Sequence, residues 1–176
     1  MANTFTLIAS STVGSTAVSS ITFSSIPQTY TDLLVKISMR NDTGTSYNNV
    51  YVSFNGTPSG TSYSDKSIYT IGTSSGSLGH SSANQLWLAA SPSTGNTSNT
   101  FSNGEFYVPN YTGSSNKSIS SDSVTEANSA GNGVIYNNLM SGLWANTSAI
   151  TSIVLTSDAS SFMQYSSAYL YGIKNS

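Results

Sequence analysis

The chain has one histidine, His80, and seven carboxylates: Asp32, Asp42, Asp65, Glu105, Asp122, Glu126 and Asp158. His80 sits in S-G-S-L-G-H-S-S at 75 to 82. A Ser-His-Asp relay needs such a base, and only this one exists. Serines flank it, but 60 of the 176 residues are Ser or Thr, so their nearness carries no information. His80 therefore reads as an exposed loop histidine and not as a catalytic base. Two converging carboxylates could run glycoside hydrolysis. Asp122 and Glu126 share a parity in one strand-like stretch. A rise of roughly 3.3 Å per residue would set them about 13 Å apart, too far for either glycosidase geometry. Asp32 before a strand and Asp42 in N-D-T-G read as turn residues. No spacing among the other carboxylates favours a pair.

Other chemistries meet similar limits. One histidine and no cysteine exclude disulfides and a typical structural zinc site. No EF-hand loop, phosphate-cradling loop or dinucleotide fingerprint is present. A calcium loop of carbonyls and one Asp leaves no signature to read. The expectation is no catalytic, cofactor-binding or metal-binding residue. Five Lys and Arg cannot build the basic footprint that nucleic acid requires, nor hold an anionic membrane. No apolar run approaches the roughly 18 residues of a spanning helix. Sequons begin at Asn41, Asn55, Asn96, Asn110, Asn116 and Asn146, about as many as this composition supplies by chance.

These residues must be positioned by a folded scaffold. Charged residues make up only 7% of the chain, against a typical share of about 25%. Disorder is nonetheless excluded, because 37% of residues are hydrophobic, 11% are aromatic and the net charge is only −2. The length fits a single domain, residues 1–176. Wherever a period is legible it is two. Strands are expected over 4–10, 17–23, 33–40, 49–54, 85–90, 105–108, 117–126, 134–143, 150–156, 162–165 and 168–173. Asn55-Gly56 after an alternating run predicts a hairpin with a return strand over 63–71. The odd spacing of Ile119 and Val124 suggests a bulge or a two-segment strand. A turn of helix could sit in 139–147. About ten to twelve short strands with polar turns mean an all-β, antiparallel sandwich, jelly-roll-like.

In I-P-Q-T-Y-T-D-L-L-V-K-I-S-M-R, residues 26 to 40, Leu33, Val35, Ile37 and Met39 share one parity. Lys36, Ser38 and Arg40 take the other and are expected outward, where they fix register. The stretches 17–25 and 149–157 match in residue type, which reads as two strands using one common pattern. Eleven Tyr and two Trp supply flat apolar bodies with polar tips, suited to sugar binding or subunit contact. The run Phe162 to Tyr171 places aromatics on both faces of its strand. The expected outer surface is rich in hydroxyls and is for display and neighbour contact.

No basic leader precedes Lys36, so a secretory signal is not expected. A charge-poor, hydroxyl-rich surface without an export signal fits a particle assembled in the host cytoplasm and released by lysis. The segments L-I-A-S-S-T-V-G-S at 7 to 15, I-T-F-S-S-I-P-Q-T-Y-T-D-L at 21 to 33 and V-S-F-N-G at 52 to 56 point the same way. So do G-E-F-Y-V-P-N-Y at 104 to 111, S-G-L-W-A-N-T-S-A-I-T-S-I at 141 to 153 and Y-L-Y-G-I-K at 169 to 174. In this order they resemble small virion structural proteins of tailed bacteriophages that infect aquatic bacteria. The resemblance implies a compact β-sandwich displayed on the virion surface, with no assigned enzyme activity and no binding residues to carry over. The expected function is capsid decoration, stabilising the shell. Capsid or tail subunits would be the partners, and the chain would be a homo-oligomer, a trimer by analogy with phage decoration and fibre proteins. The alternative is a tail-fibre or spike module binding host surface glycans. An exposed cleft lined by Tyr and Trp would favour that alternative, and a flat buried face would favour decoration.

Overall fold

A computed structural model describes residues 4–56, 59–127 and 136–174. Among these residues there are twelve strands and no helix. They are β1 (Phe5–Thr12), β2 (Ser20–Phe23), β3 (Asp32–Ser38), β4 (Tyr47–Phe54), β5 (Tyr63–Ile71) and β6 (Ser74–Ala83). Then follow β7 (Leu86–Pro92), β8 (Asn103–Val108), β9 (Lys117–Thr125), β10 (Tyr136–Trp144), β11 (Ile153–Ser157) and β12 (Ser167–Ile173). Eight form one sheet in the order β1-β12-β3-β8-β9-β10-β5-β6, and four form another, β2-β11-β4-β7. All pairings are antiparallel, and the expected β-sandwich is observed.

The order has a simple logic. First pairs with last, β1 with β12, then β2 with β11, β3 with β8 and β4 with β7. The chain is a long ribbon doubled on itself and rolled into two layers. Two further antiparallel pairs are inserted, β5–β6 between β4 and β7 and β9–β10 between β8 and β11. Both join the larger sheet, which therefore extends past edge strand β7 of the smaller one. The two matching stretches, 17–25 and 149–157, carry β2 and β11, which are direct neighbours.

Alternation explains the core. Leu33, Val35 and Ile37 of β3, Phe106 of β8 and Leu170 of β12 face Ile21, Phe23, Val50, Val52, Leu86 and Leu155 of the other layer, and all are buried. Lys36 points outward as expected and bonds Glu105 across the strand pair at 2.6 Å. Arg40 does not point outward. It lies beyond the end of β3 and is 6% exposed. Its guanidinium donates to the carbonyls of Ser93, Asn96, Thr97 and Thr100 and to the Thr100 hydroxyl, which orders the loop between β7 and β8.

Other expectations are corrected by pairing. The Asn55-Gly56 turn exists, with φ of 57° and 135°, and β5 follows over the expected residues. The two strands do not form a hairpin, because β4 and β5 belong to different sheets. Strand β9 has no bulge; Ile119 simply faces the core while Val124 faces outward. Residues 139–144 are strand, not a helical turn. Of the strand expected over 162–165 only a bridge at Phe162 remains. His80 lies on strand β6, not in a loop. The strand expected from Val134 begins outside the described residues and is observed from Tyr136.

One correction concerns where the hydroxyls go. β9 alternates strictly, and Ser121, Ser123 and Thr125 join Lys117 and Ile119 in its buried set. Edge strand β7 pairs on one side only, so its other side needs partners for its backbone groups. Thr125 Oγ1 donates to Ala90 O at 2.6 Å, and Asn138 Nδ2 donates to Leu88 O at 3.0 Å. Ser121 and Ser123 also reach Leu88 O. Asp65 Oδ2 accepts from Trp87 N–H at 3.4 Å. Side chains of the larger sheet thus replace a missing strand, so these few hydroxyls serve the interior while most of the chain's Ser and Thr lie outside the buried set.

Candidate functional site

The overhang creates a cleft. On β4 the residues Val50, Val52 and Phe54 are buried, while Tyr47, Asn49 and Tyr51 take the opposite parity and stay half-buried on the outer side of the smaller sheet. Trp87 of β7 lies directly opposite Tyr51 on that side. The inserted strands curl past the edge of β7 and bring Tyr69 and Ile71 of β5, Leu78 and His80 of β6 and Tyr136 of β10 against it. The space enclosed is about 290 Å³.

Ring geometry ties the walls together. Tyr136 stacks on Tyr69 with centroids 5.5 Å apart and planes 14° apart. Trp87 meets Tyr136 edge-on at 5.6 Å, and Tyr47 leans on it at 5.8 Å. These are the offset and T-shaped arrangements that ring quadrupoles favour. Trp87 Nε1–H donates to Asn49 Oδ1 at 3.1 Å, and Asn49 Nδ2 donates to the Tyr51 hydroxyl at 3.2 Å. The Tyr51 O–H remains free to donate to a bound molecule. Gly76 faces Tyr69 across the β5–β6 pair. A Cβ there would fall 2.7 Å from the Tyr69 hydroxyl oxygen, so glycine is what lets that ring lie over the edge strand.

His80 closes one end. Its Nδ1 is 2.8 Å from Asp65 Oδ1. The Asp65 side chain is fully buried and that of His80 is half exposed. The carboxylate fixes the ring, and Nε2 remains as its other polar atom. Among the described residues no Ser or Thr hydroxyl bonds the ring. The string Gly72-Thr-Ser-Ser-Gly76 has the spacing of a nucleophile elbow. It forms the turn and first residues of the β5–β6 hairpin, with a strand on each side instead of strand and helix. Its Ser74 lies six residues from His80 along one strand, about 20 Å at roughly 3.3 Å per residue.

The other carboxylates are dispersed. Asp32 accepts from the Tyr107 hydroxyl at 2.7 Å and from Asn110 N–H at 2.8 Å. Asp42 accepts from Ser161 N–H. Neither Glu126 nor Asp158 lines the cleft, although Asp158 N–H donates to Asn49 O and its charge reaches Tyr51. One pair that spacing did not suggest is brought together: Glu105 and Asp122 are direct cross-strand neighbours on the outer face. Lys36 holds Glu105, and neither acid lines the cleft. Among the described residues no three His, Asp or Glu side chains cluster as metal ligands would. Of the sequon residues, Asn41 is fully buried.

Burial raises the pKa of Tyr51 and Tyr136 in the cleft, and of Tyr63 and Tyr111 elsewhere. Tyr107 is pushed up to about 12 by burial, then by its bond to Asp32 and that group's charge. A phenol whose folded value exceeds its unfolded value of 10.0 stabilises fully below pH 10.0. That stability is lost as pH rises through the folded value. The protein is therefore expected to unfold cooperatively between about pH 10 and 12, with tyrosinate absorbance and loss of the β-sheet circular dichroism changing together. Tyrosinate formed by all eleven tyrosines, and not only by exposed ones such as Tyr165 and Tyr169, well before the fold is lost would show these phenols to be accessible.

The opposite side of the molecule is the outer face of the larger sheet. By strand parity it carries Phe5, Leu7, Ile68, Val124, Leu139, Leu143 and Tyr169. Ile68 is 62% exposed and Leu139, its direct neighbour across β5–β10, is 56% exposed. With Val124 they line a shallow depression. One row crosses the whole sheet: Ser10, Tyr169, Lys36, Glu105, Asp122, Leu139, Ile68 and Ser77. It runs from charged to apolar. The aromatics of the run 162–171 do not divide between the faces of one strand: Phe162 is buried outside β12, while Tyr169 and Tyr171 share the outward parity of that strand.

Compared with known proteins, the chain matches no family model, no curated protein and no solved structure.

Proposed function

We propose that this chain is a non-catalytic structural subunit of a tailed-phage virion, displayed on the particle and docked through the outer face of its larger sheet, most simply as capsid decoration. The observation that carries the reading is the exposed apolar set on that one face, led by Ile68, Val124 and Leu139. Isolated exposed apolar residues are ordinary, but a contiguous group marks a contact surface. Asp122 and Lys66 border this group, and in a contact they would take its polar rim, around an apolar centre of Ile68, Val124 and Leu139. The resemblance of its segments to virion proteins supplies the context. We read the nested strand order as a jelly roll with two inserted hairpins, an architecture used by viral capsid and lectin domains. In this reading the copies associate as a homo-oligomer on the shell; the cleft lined by Tyr and Trp favours the alternative, a tail-fibre or spike module binding host surface glycans.

The test uses virions and the purified protein. Antibody labelling of particles should place the chain on the head. The double substitution Ile68→Lys with Leu139→Lys should lower its incorporation at least about 30-fold, the effect of losing an interface centre worth roughly 2 kcal/mol or more. Circular dichroism and melting temperature should not change, because both positions are on the outer face. Absence of the wild-type chain from purified virions, or normal incorporation of the double variant, would overturn the reading.

A further inference from the structure

We infer that the aromatic cleft beside β7 is a binding site for a neutral pyranose unit of a polysaccharide. This goes beyond the docking role and does not depend on it, because the cleft and the outer face lie on different sides of the larger sheet. Four features lead to the assignment.

The first is the nature of the walls. Tyr47, Tyr51, Tyr69, Tyr136 and Trp87 converge from four strands. Trp87 and Tyr136 form the buried floor, while Tyr47, Tyr51 and Tyr69 remain half exposed at the mouth. Flat apolar faces suit the C–H faces of a sugar ring, and the phenol tips suit its hydroxyls. The second is the polar equipment. Tyr51 has its acceptor side engaged by Asn49, and Asn49 is in turn engaged by Trp87. Its hydroxyl is left oriented as a donor. His80 is fixed through Nδ1 by a buried carboxylate, which leaves Nε2 as an acceptor in the neutral ring. A vicinal diol offers both complements.

The third is charge. No Lys or Arg lines the cleft. An anionic sugar, phosphate or nucleotide would find no cation to neutralise it. The fourth is size. A volume of about 290 Å³ lies at the lower end of small-molecule sites, which span roughly 300–1,000 Å³. One ring with its flanking linkages fits that scale better than an extended peptide or lipid chain. The polar groups are few and convergent, while ring stacking and Gly76 set the walls before any ligand arrives.

The experiment is a titration of the full chain with methyl glucoside, methyl galactoside, methyl mannoside and dextran, with glucuronic acid as the charged contrast. Saturation-transfer NMR and tryptophan fluorescence report binding, and Trp87→Phe assigns the fluorescence change to the cleft and not to buried Trp144. At least one neutral pyranoside is expected to bind saturably, and glucuronic acid more weakly. Tyr69→Ala should weaken binding about tenfold, the value of one aromatic contact. Gly76→Ala keeps the Tyr69 side chain but displaces it, and should weaken binding as well. Tyr51→Phe removes one hydroxyl without changing the fold, so it separates loss of the site from loss of the protein. If no neutral sugar binds saturably, or if all three variants bind like wild type, the assignment is wrong. Sugar binding by a chain absent from virions would sink only the docking role.

Discussion

Replacing Arg40 with alanine is expected to destabilise the protein by roughly 3–5 kcal/mol, the largest effect of any single charge removal in this chain. The guanidinium donates to four backbone carbonyls within the 93–100 loop and to one hydroxyl, at 2.8 to 3.2 Å. Burial disfavours its charge and lowers its pKa below the usual guanidinium range. No carboxylate offsets that burial; the carbonyl dipoles do. Removal strands several acceptors in a site that water reaches poorly, and each stranded acceptor costs about 1–3 kcal/mol. Arg40→Lys should recover only part of the loss, because one ammonium cannot span a planar fork. Urea unfolding is the measurement. A loss below about 1 kcal/mol for alanine would mean that the loop holds itself.

The second large effect is expected at Trp144. This residue ends β10 at 4% exposure and stacks on Tyr63, with centroids 6.2 Å apart and planes 16° apart. It also leans on Phe54 at 5.5 Å. Phe54 belongs to the smaller sheet and Tyr63 to the larger, so this trio fastens the two layers just where the chain crosses between them after Asn55-Gly56. Trp144→Ala should cost roughly 3–5 kcal/mol, from lost burial and from the cavity left behind. Melting temperature should fall on the order of 10 °C. Trp144→Phe should retain more than half of the stability, since a ring still fills the gap. Equal losses for the two variants would show that the ring contacts matter little.

The strands that sequence makes visible are those with one wet and one dry face. β3 announces itself through Leu33, Val35 and Ile37, and β12 through Ala168 and Leu170. β6 does not, because S-S-G-S-L-G-H-S-S-A carries no apolar alternation of its own. Its neighbour supplies the side chains: Tyr69 covers Gly76, and the Lys66 stem covers Gly79. A strand that borrows its surface from a partner is invisible until the partner is known. The Asn55-Gly56 turn was legible as a turn, but a turn does not specify which sheet receives the next strand. The inward hydroxyls of β9 were misread for a related reason. Their purpose is set by β7, an edge in the other layer.

The cleft was legible only as a surplus of tyrosine. Its rings come from residues 47 to 136 and meet through pairing between strands far apart in sequence. One signal was present. Gly72-Thr73 makes a two-residue turn, and counting outward from it places Asp65 opposite His80. Reading β6 as a strand would have found that pair.

The rolled ribbon also dictates an assembly schedule. Among the described residues β1 finds its only partner strand in β12, and β2 finds its only partner strand in β11. A chain emerging from the ribosome holds both early strands without these neighbours until β11 and β12 have been made. Such distant pairing makes folding slow and leaves sticky edges open in the meantime. Loss of β12 would strip β1 of this ladder and bare the flank of β3, so a nascent chain stalled before β12 should behave as an aggregating species.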